Sequence, residues 1–293
     1  MRFILKIIGA VFVALSAACV AHVEPAGEER FPISSDYPPG TMERIAFAAG
    51  VPEGWRLSAL RTPERPDASW KIVIITGTPS WSEFWAPTIA GAGANREIIV
   101  ADRPGFSLSE PRGAVRDLTK QADALAPMLQ ARPGQRVLIV GQSFGAPVAT
   151  LMVQRHPDRV DALVLVSAFF GDRGPTARRL FGIGAIARPL LPRDLKNSIT
   201  EVSAQGAQLP GVFDALRGLS QPVVFVHGDN DNFVPLEAAR RLSAEYGRTL
   251  IEVPSGDHFL NACCVPALLA AIETAIVEAE GRASAQGHIT AAR

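Results

Sequence analysis

The sequence predicts an α/β fold: a mostly parallel, twisted sheet with helices on both faces and a small helical cap. Three observations predict it. Short apolar runs rich in Val and Ile recur, continuous where half-buried strands would alternate, which is the pattern of strands covered on both faces. Helix-compatible segments separate most of these runs, and strand alternating with helix gives a parallel sheet. One gap of about fifty residues exceeds a single crossover helix and marks the cap.

In chain order, "MRFILKIIGAVFVALSAAC" places Arg2 and Lys6 ahead of an apolar run from Ile7 to Leu15 that ends in small residues, which reads as an export signal over residues 1–21. The run is shorter than the about 20 residues of a membrane span. "LSAAC" resembles a bacterial lipoprotein cleavage box, with Ser16 where that box prefers Leu. Lipidation of Cys19, cleavage after Ala21 and an uncleaved anchor are the three open outcomes, so a periplasmic protein or a membrane-anchored lipoprotein is expected. Residues 22–43, polar and proline-rich, form a linker, and the domain spans 44–280.

Within it the strands are "KIVIIT" (71–76), "EIIVAD" (97–102), "RVLIVG" (136–141), "VDALVLVSA" (160–168), "PVVFVHG" (222–228) and "TLIEVP" (249–254). Helices are expected at 117–131, 145–156, 235–246 and 265–280, a cap insertion at about 169–220, and a flexible tail over 281–293.

With 47% hydrophobic residues and 20% charged, the 293-residue chain has material for one large core. Lys plus Arg balances Asp plus Glu at 29 each, so no net field favours nucleic acid or an anionic membrane, and a neutral small molecule is the expected partner. Cys263 and Cys264 are adjacent. Such pairs bridge rarely, so they are read as two small apolar residues at a helix start. No set of residues has the spacing of metal ligands.

The chemistry centres on "VLIVGQSFGAPVAT" (137–150), which puts Ser143 just past the carboxyl end of a buried strand, where open parallel sheets bind ligands. Gly141 and Gly145 relieve crowding in the sharp strand-to-helix turn and leave the hydroxyl presented. A serine nucleophile needs a base, and the base needs an acid to fix its tautomer. Of five histidines, His258 in "VPSGDHFLN" alone follows a strand in a loop. His22 falls in the linker, His156 at a helix end, His227 inside an apolar strand and His288 in the tail. For the acid, "VFVHGDNDNFVP" offers Asp229 and Asp231, and the residues alone do not choose between them.

Over about residues 44–280 the chain resembles the α/β-hydrolase fold superfamily. It shares the G-x-S-x-G elbow, "VHGDNDNFVP" is similar to the family's strand-G-x-x-D-x-x-V-P, and "EVPSGDHF" is similar to its histidine loop. That spacing places the acid three residues after Gly228, at Asp231. "VADRPGFSLSE" (100–110) is similar to the family's D-x-x-G-x-G-x-S turn, with Ser107 where the second glycine is usual; Asp102 and Arg103 there read as scaffold. "TGTPSWSEFW" resembles the H-G-x-P loop, with Thr76 in place of the histidine. The resemblance therefore implies an oxyanion hole from the backbone N–H groups of Phe144 and Thr78.

The expected function is an exported serine hydrolase of an ester, thioester or lactone, using Ser143, His258 and Asp231 through an acyl-enzyme and no cofactor. Alternatives are carbon–carbon bond hydrolysis or perhydrolysis on the same residues, or an exported binding protein without turnover. Trp81, Phe181 and Ile183 are the candidate pocket residues. The competing role for Trp81 and Trp85 is helix packing, and for Phe181, Ile183, Ile186 and Leu190 it is the cap's own core.

Overall fold

The computed structural model describes residues 37–291. The export segment, Cys19 and the linker up to residue 36 lie outside the described residues.

Eight strands make one sheet: β1 Glu43–Ala48, β2 Arg56–Arg61, β3 Trp70–Ile75, β4 Arg96–Ala101, β5 Arg136–Gln142, β6 Ala162–Val166, β7 Val223–Gly228 and β8 Thr249–Val253, in the order β1-β2-β4-β3-β5-β6-β7-β8. β2 pairs antiparallel with β1 and β4, and every other pair is parallel. β1 and β2 add to the six strands read from the sequence. β1 has no buried residue and β2 is only four residues deep between arginines, so neither carries a long apolar run.

The α-helices among the described residues are α1 Ala86–Ala90, α2 Leu118–Leu125, α3 Gly145–Arg155, α4 Pro175–Ala187, α5 Arg193–Gln205, α6 Leu209–Gly218, α7 Leu236–Glu245, α8 Leu260–Cys263 and α9 Val265–Ala291. The continuous apolar strands divide their side chains between two cores, because successive residues point to opposite faces. Val73, Ile75, Ile139, Leu163, Leu165 and Phe225 meet α2, α3, α6 and α7 on one face. Ile72, Ile74, Leu138, Val140, Val164 and Val226 meet α1, α8 and α9 on the other.

Local signals start and seat these helices. Asp117 caps α2 by accepting from the N–H groups of Thr119 (2.8 Å) and Lys120 (3.1 Å). α9 buries Leu268, Ala271, Ile272, Ala275, Ile276 and Ala279, a single helical stripe. It runs to Ala291, past residue 280, where the sequence placed the start of a flexible tail. No helix among the described residues is long and apolar enough to cross a membrane.

Between β6 and β7 the cap is smaller than the sequence reading. α4 and α5 form it, whereas α6 buries Val212, Ala215 and Leu216 against α3 in the main core. Cys263 and Cys264 require a correction: their sulfurs are bonded to each other. The backbone leaves helical geometry at Cys264 (φ −139°, ψ 38°) between α8 and α9, and this break brings the two side chains together.

Candidate active site

Ser143 follows the last residue of β5 and adopts φ +50°, the left-handed region that a serine enters only when its surroundings enforce it. Three contacts enforce it. The Ser143 N–H donates to the Val166 carbonyl (2.9 Å), and its own carbonyl accepts from Phe169 (3.0 Å) and Ala146 (3.0 Å). The flanking glycines are required by close approach: a Cβ on Gly141 would lie 2.6 Å from that of Ala149, and one on Gly145 would collide with the carbonyls of Ile75 and Thr76.

His258, in the loop between β8 and α8, reaches this serine. Its Nε2 is 3.1 Å from Ser143 Oγ and its Nδ1 is 2.8 Å from Asp231 Oδ2. An ionised carboxylate only accepts, so Nδ1 carries the proton and Nε2 is free to take one from the hydroxyl. Phe233 stacks on the imidazole at 5.0 Å and Phe259 meets it edge-on at 5.2 Å, which fixes the ring plane. Asp231 Oδ1 accepts from the N–H groups of Phe233 (2.8 Å) and Val234 (2.9 Å). Asp229 instead turns away and accepts from the Ser255 N–H at 2.7 Å.

The sequence reading set His227 aside as a strand residue, and the structure places it beside the acid. Its Nε2 lies 3.2 Å from Asp231 Oδ2 and 3.0 Å from the Val234 carbonyl, so that nitrogen bears a proton facing two acceptors. Burial works against ionisation of Asp231, yet hydrogen bonds from His227 and His258 outweigh it and hold the carboxyl well below the usual carboxylate range. The i, i+4 spacing of His227 and Asp231 was the only signal available, and it has meaning only once the chain turns at Gly228.

The oxyanion candidates flank this serine in chain and space: Phe144 follows it, and Thr78 follows Gly77, on which a Cβ would lie 3.1 Å from Ser143 Cβ. The backbone N–H groups of Phe144 and Thr78 have no protein acceptor among the described residues, while the neighbouring Gly77 N–H donates to Gln142 Oε1 at 2.9 Å. A buried cation holds this loop. Arg103 donates from Nε to the Thr76 carbonyl (2.8 Å) and from Nη2 to the Gly77 carbonyl (2.9 Å), and its guanidinium lies 5.0 Å from the Phe144 ring centre. Its charge is met by Glu201 of the cap helix α5, at 3.1 and 3.2 Å, both side chains being fully buried.

Glu201 also accepts from Gln121 Nε2 (2.8 Å) and from Thr78 Oγ (3.3 Å), so the cap and the oxyanion loop share one polar network. Burial pushes the Glu201 carboxyl up, against the pull of Arg103. Nothing in the sequence marks Glu201, one charge among many on a polar helix. Asp102 is scaffold, accepting from the Ser82 N–H (2.8 Å) and from Arg44 (3.1 Å). Ser107 takes the glycine-like φ of +47° and stays in the turn: its N–H and carbonyl bond to Asp194 (3.2 Å) and Arg193 (2.7 Å) at the start of α5.

Two of the three pocket residues, Ile183 and Phe181, need correction. Ile183 is 62% exposed, because α4 turns it outward. Phe181 packs against the main core beneath the Arg173 guanidinium. Trp81 is half-buried, donating its indole N–H to Asp194 Oδ2 at 2.7 Å, whereas Trp85 is wholly in the second core. Among the described residues, no group of three or more His, Cys, Asp or Glu side chains is placed to hold a metal ion.

A family model described as the α/β hydrolase fold matches residues 72–195. The chain is 25% identical over 215 residues to the 2-hydroxymuconate semialdehyde hydrolase of Pseudomonas sp. (strain CF600), an alignment covering 60% of this chain and 74% of that protein. Among solved structures it is similar to a thermophilic esterase from Thermogutta terrifontis, with a TM-score of 0.64, 17% identity and coverage of 81% of this chain and 99% of that one. The 2-hydroxy-6-oxo-6-phenylhexa-2,4-dienoate hydrolase from Rhodococcus sp. strain RHA1 superposes with a TM-score of 0.61, 18% identity and coverage of 80% and 99%.

Proposed function

Since the chain belongs to the α/β-hydrolase fold superfamily and is a hydrolase, we propose that it cleaves an acyl ester, thioester or lactone with Ser143 as nucleophile, His258 as general base and Asp231 as the orienting acid. The unbroken chain from Ser143 Oγ through both imidazole nitrogens to Asp231, at 3.1 and 2.8 Å, carries this reading.

As Oγ attacks the carbonyl carbon, its proton passes to His258 Nε2, and Asp231 stabilises the imidazolium. The tetrahedral oxygen takes the two N–H groups of Phe144 and Thr78; such donors are worth about 10²–10³ each in kcat. Collapse expels the leaving group, which takes the proton from His258. The acyl-enzyme on Ser143 is then attacked by a water that His258 deprotonates, and the acid departs.

The relatives named as dienoate and semialdehyde hydrolases support a second reading, carbon–carbon cleavage on the same residues. Against it, those names denote carboxylate substrates, and the cation packed on Phe144, Arg103, is already neutralised by Glu201. Export is part of the proposal. It rests on the apolar run behind Arg2 and Lys6, on "LSAAC", and on the Cys263–Cys264 bond, which suits an oxidising compartment. Loss of the protein from the membrane fraction in Cys19→Ala would support lipid attachment, and equal retention would rule it out.

The test is a series of p-nitrophenyl esters graded by acyl length, run beside a dienoate carbon–carbon substrate, with fluorophosphonate labelling. Ester turnover and labelling of Ser143, both absent in a folded Ser143→Ala, are expected. Labelling with dienoate cleavage alone would favour the second reading. No labelling would leave an exported binding protein.

A further inference from the structure

The cap helix α4 sits with its inner face on the protein and its outer face bare. Ala177 is buried and Phe181 half-buried, and a Cβ on Gly184 would lie 2.8 Å from Ile199 Cδ1, so the helix is pressed onto α5 along that line. On the opposite side stand Leu180 (50% exposed), Ile183 (62%) and Ile186 (87%), with Leu190 (81%) in the turn that follows. At helical spacing these four fall within about a third of the circumference, one aliphatic ridge.

The segment that carries this ridge is basic, bounded by Asp172 and by Asp194, which pairs with Arg193. Residues 173–193 hold Arg173, Arg178, Arg179, Arg188 and Arg193 and no acid, in a chain whose total charge is zero. Balance over the whole sequence therefore hides a local cluster, and with it a partner that the net charge argued against. Among the described residues none of Arg173, Arg178, Arg179 and Arg188 meets a carboxylate. Arg178 donates to the Arg173 carbonyl (2.7 Å), Arg188 to Thr200 Oγ (2.9 Å), and Asp172, the nearest acid in sequence, is taken by Arg241 at 2.7 Å. Arg188 and Arg116 also line a cleft of about 420 Å³ between α4 and α5, floored by Ile199 and edged by Ser203.

From these observations we infer that the outer face of α4 is a docking surface for an anionic phospholipid bilayer. The shape favours lipid over a protein partner. A ridge of Leu and Ile enters the headgroup layer by about 5–10 Å; Arg179, which falls on the ridge at helical spacing, lays its stem on the apolar boundary and its head on phosphate, and the other arginines of the segment add positive charge from its flanks. A protein interface would centre on aromatic anchors and complementary acids, and the ridge offers no aromatic side chain. The surface is also tied to the catalytic loop. Gly174 and Thr176, at the start of α4, donate to the carbonyls of Phe233 (2.7 Å) and Asn232 (3.1 Å), and Phe233 is the ring stacked on His258. Docking through α4 therefore fixes which way the rim of the site faces. The inference does not depend on the reaction at Ser143.

Flotation of the full chain with vesicles of phosphatidylcholine alone, or mixed with phosphatidylglycerol, tests it. The parent should bind the anionic vesicles at least about tenfold better, with the preference falling as salt is raised. Ile183→Asp/Ile186→Asp should lose binding to both, and Arg178→Glu/Arg179→Glu should lose the anionic preference. Unchanged turnover of a soluble ester, or an unchanged melting curve, shows that the variants are folded. Binding that neither pair alters would assign attachment to the N-terminal segment and overturn the proposal. A dimer in solution that Ile183→Asp/Ile186→Asp dissociates, with vesicle binding intact, would assign the ridge to a second copy and overturn it equally.

Discussion

At the scale of single residues, the site depends on which of two nearby carboxylates faces the histidine. Asp231 gives one oxygen to His258 and the other to two backbone N–H groups, while Asp229 serves the turn at Ser255. Asp231→Asn should therefore lower kcat by about 10⁴ through loss of the correct imidazole tautomer, with Asp229→Asn close to the parent. A steady-state comparison in which the two rank the other way would remove Asp231 from the role. The same carboxyl makes stability depend on pH. It is held below its ordinary range in the fold, so the unfolded chain binds the extra proton between about 3.9, the unfolded value, and the lower folded value. Its contribution is whole above that window and is lost as pH falls through it. The stability gap between the parent and Asp231→Asn in urea melts should thus be constant from neutral pH to about 5 and shrink below about 4.

Elements meet at a buried ion pair. Arg103, from the turn after β4, holds the carbonyls of Thr76 and Gly77 only while Glu201 of α5 neutralises it. Removing one partner strands a buried charge, so Glu201→Ala should cost about 3–5 kcal/mol by chemical denaturation. Arg103→Met/Glu201→Leu should recover most of that loss, since a packed apolar pair replaces a desolvated one. Its kcat should stay low with KM little altered, because the hydrogen bonds that place the Thr78 N–H are still missing. Full recovery of both stability and kcat would show that the pair has no positioning role.

The whole molecule draws its stability from two cores separated by the sheet, and the cysteine bond adds little to them. A bridge between adjacent residues closes the smallest loop possible and so removes almost no freedom from the unfolded chain. Cys263→Ser/Cys264→Ser should keep the parent's melting temperature within about 2 °C, which for a chain of this size corresponds to under about 1 kcal/mol. A larger fall would mean that the bond holds the junction of α8 and α9, and with it the loop of His258. The same two cores explain where the apolar cap residues went: the sheet faces were already filled, so α4 turned Ile183 and Ile186 to the outside.

The chain itself determined the parts that are local. Six continuous apolar runs read as strands covered on both sides; all six are strands, and five are buried so, while the edge strand β8 is only partly covered. The glycines around Ser143 can only serve a turn in which side chains would collide, and the close approaches at Gly141 and Gly145 are of that kind. The residues put His258 in a loop past a strand end and left Asp229 and Asp231 both open; only the resemblance to the α/β-hydrolase superfamily pointed to Asp231. What depends on contacts distant in sequence was decided by the tertiary structure alone. β1 buries no residue, and the buried run of β2 is only four residues long and includes Ser58, so neither reads as a strand until they pair at the sheet edge. His227 becomes a partner of Asp231, and Glu201 of Arg103, only when segments from different parts of the chain enclose them, the second pair 98 residues apart. The direction of α4 was likewise undecided, because an apolar stripe has the same sequence whether it faces a core, a pocket or a surface. Periodicity encodes which residues share a face; what lies against that face is set by the rest of the chain.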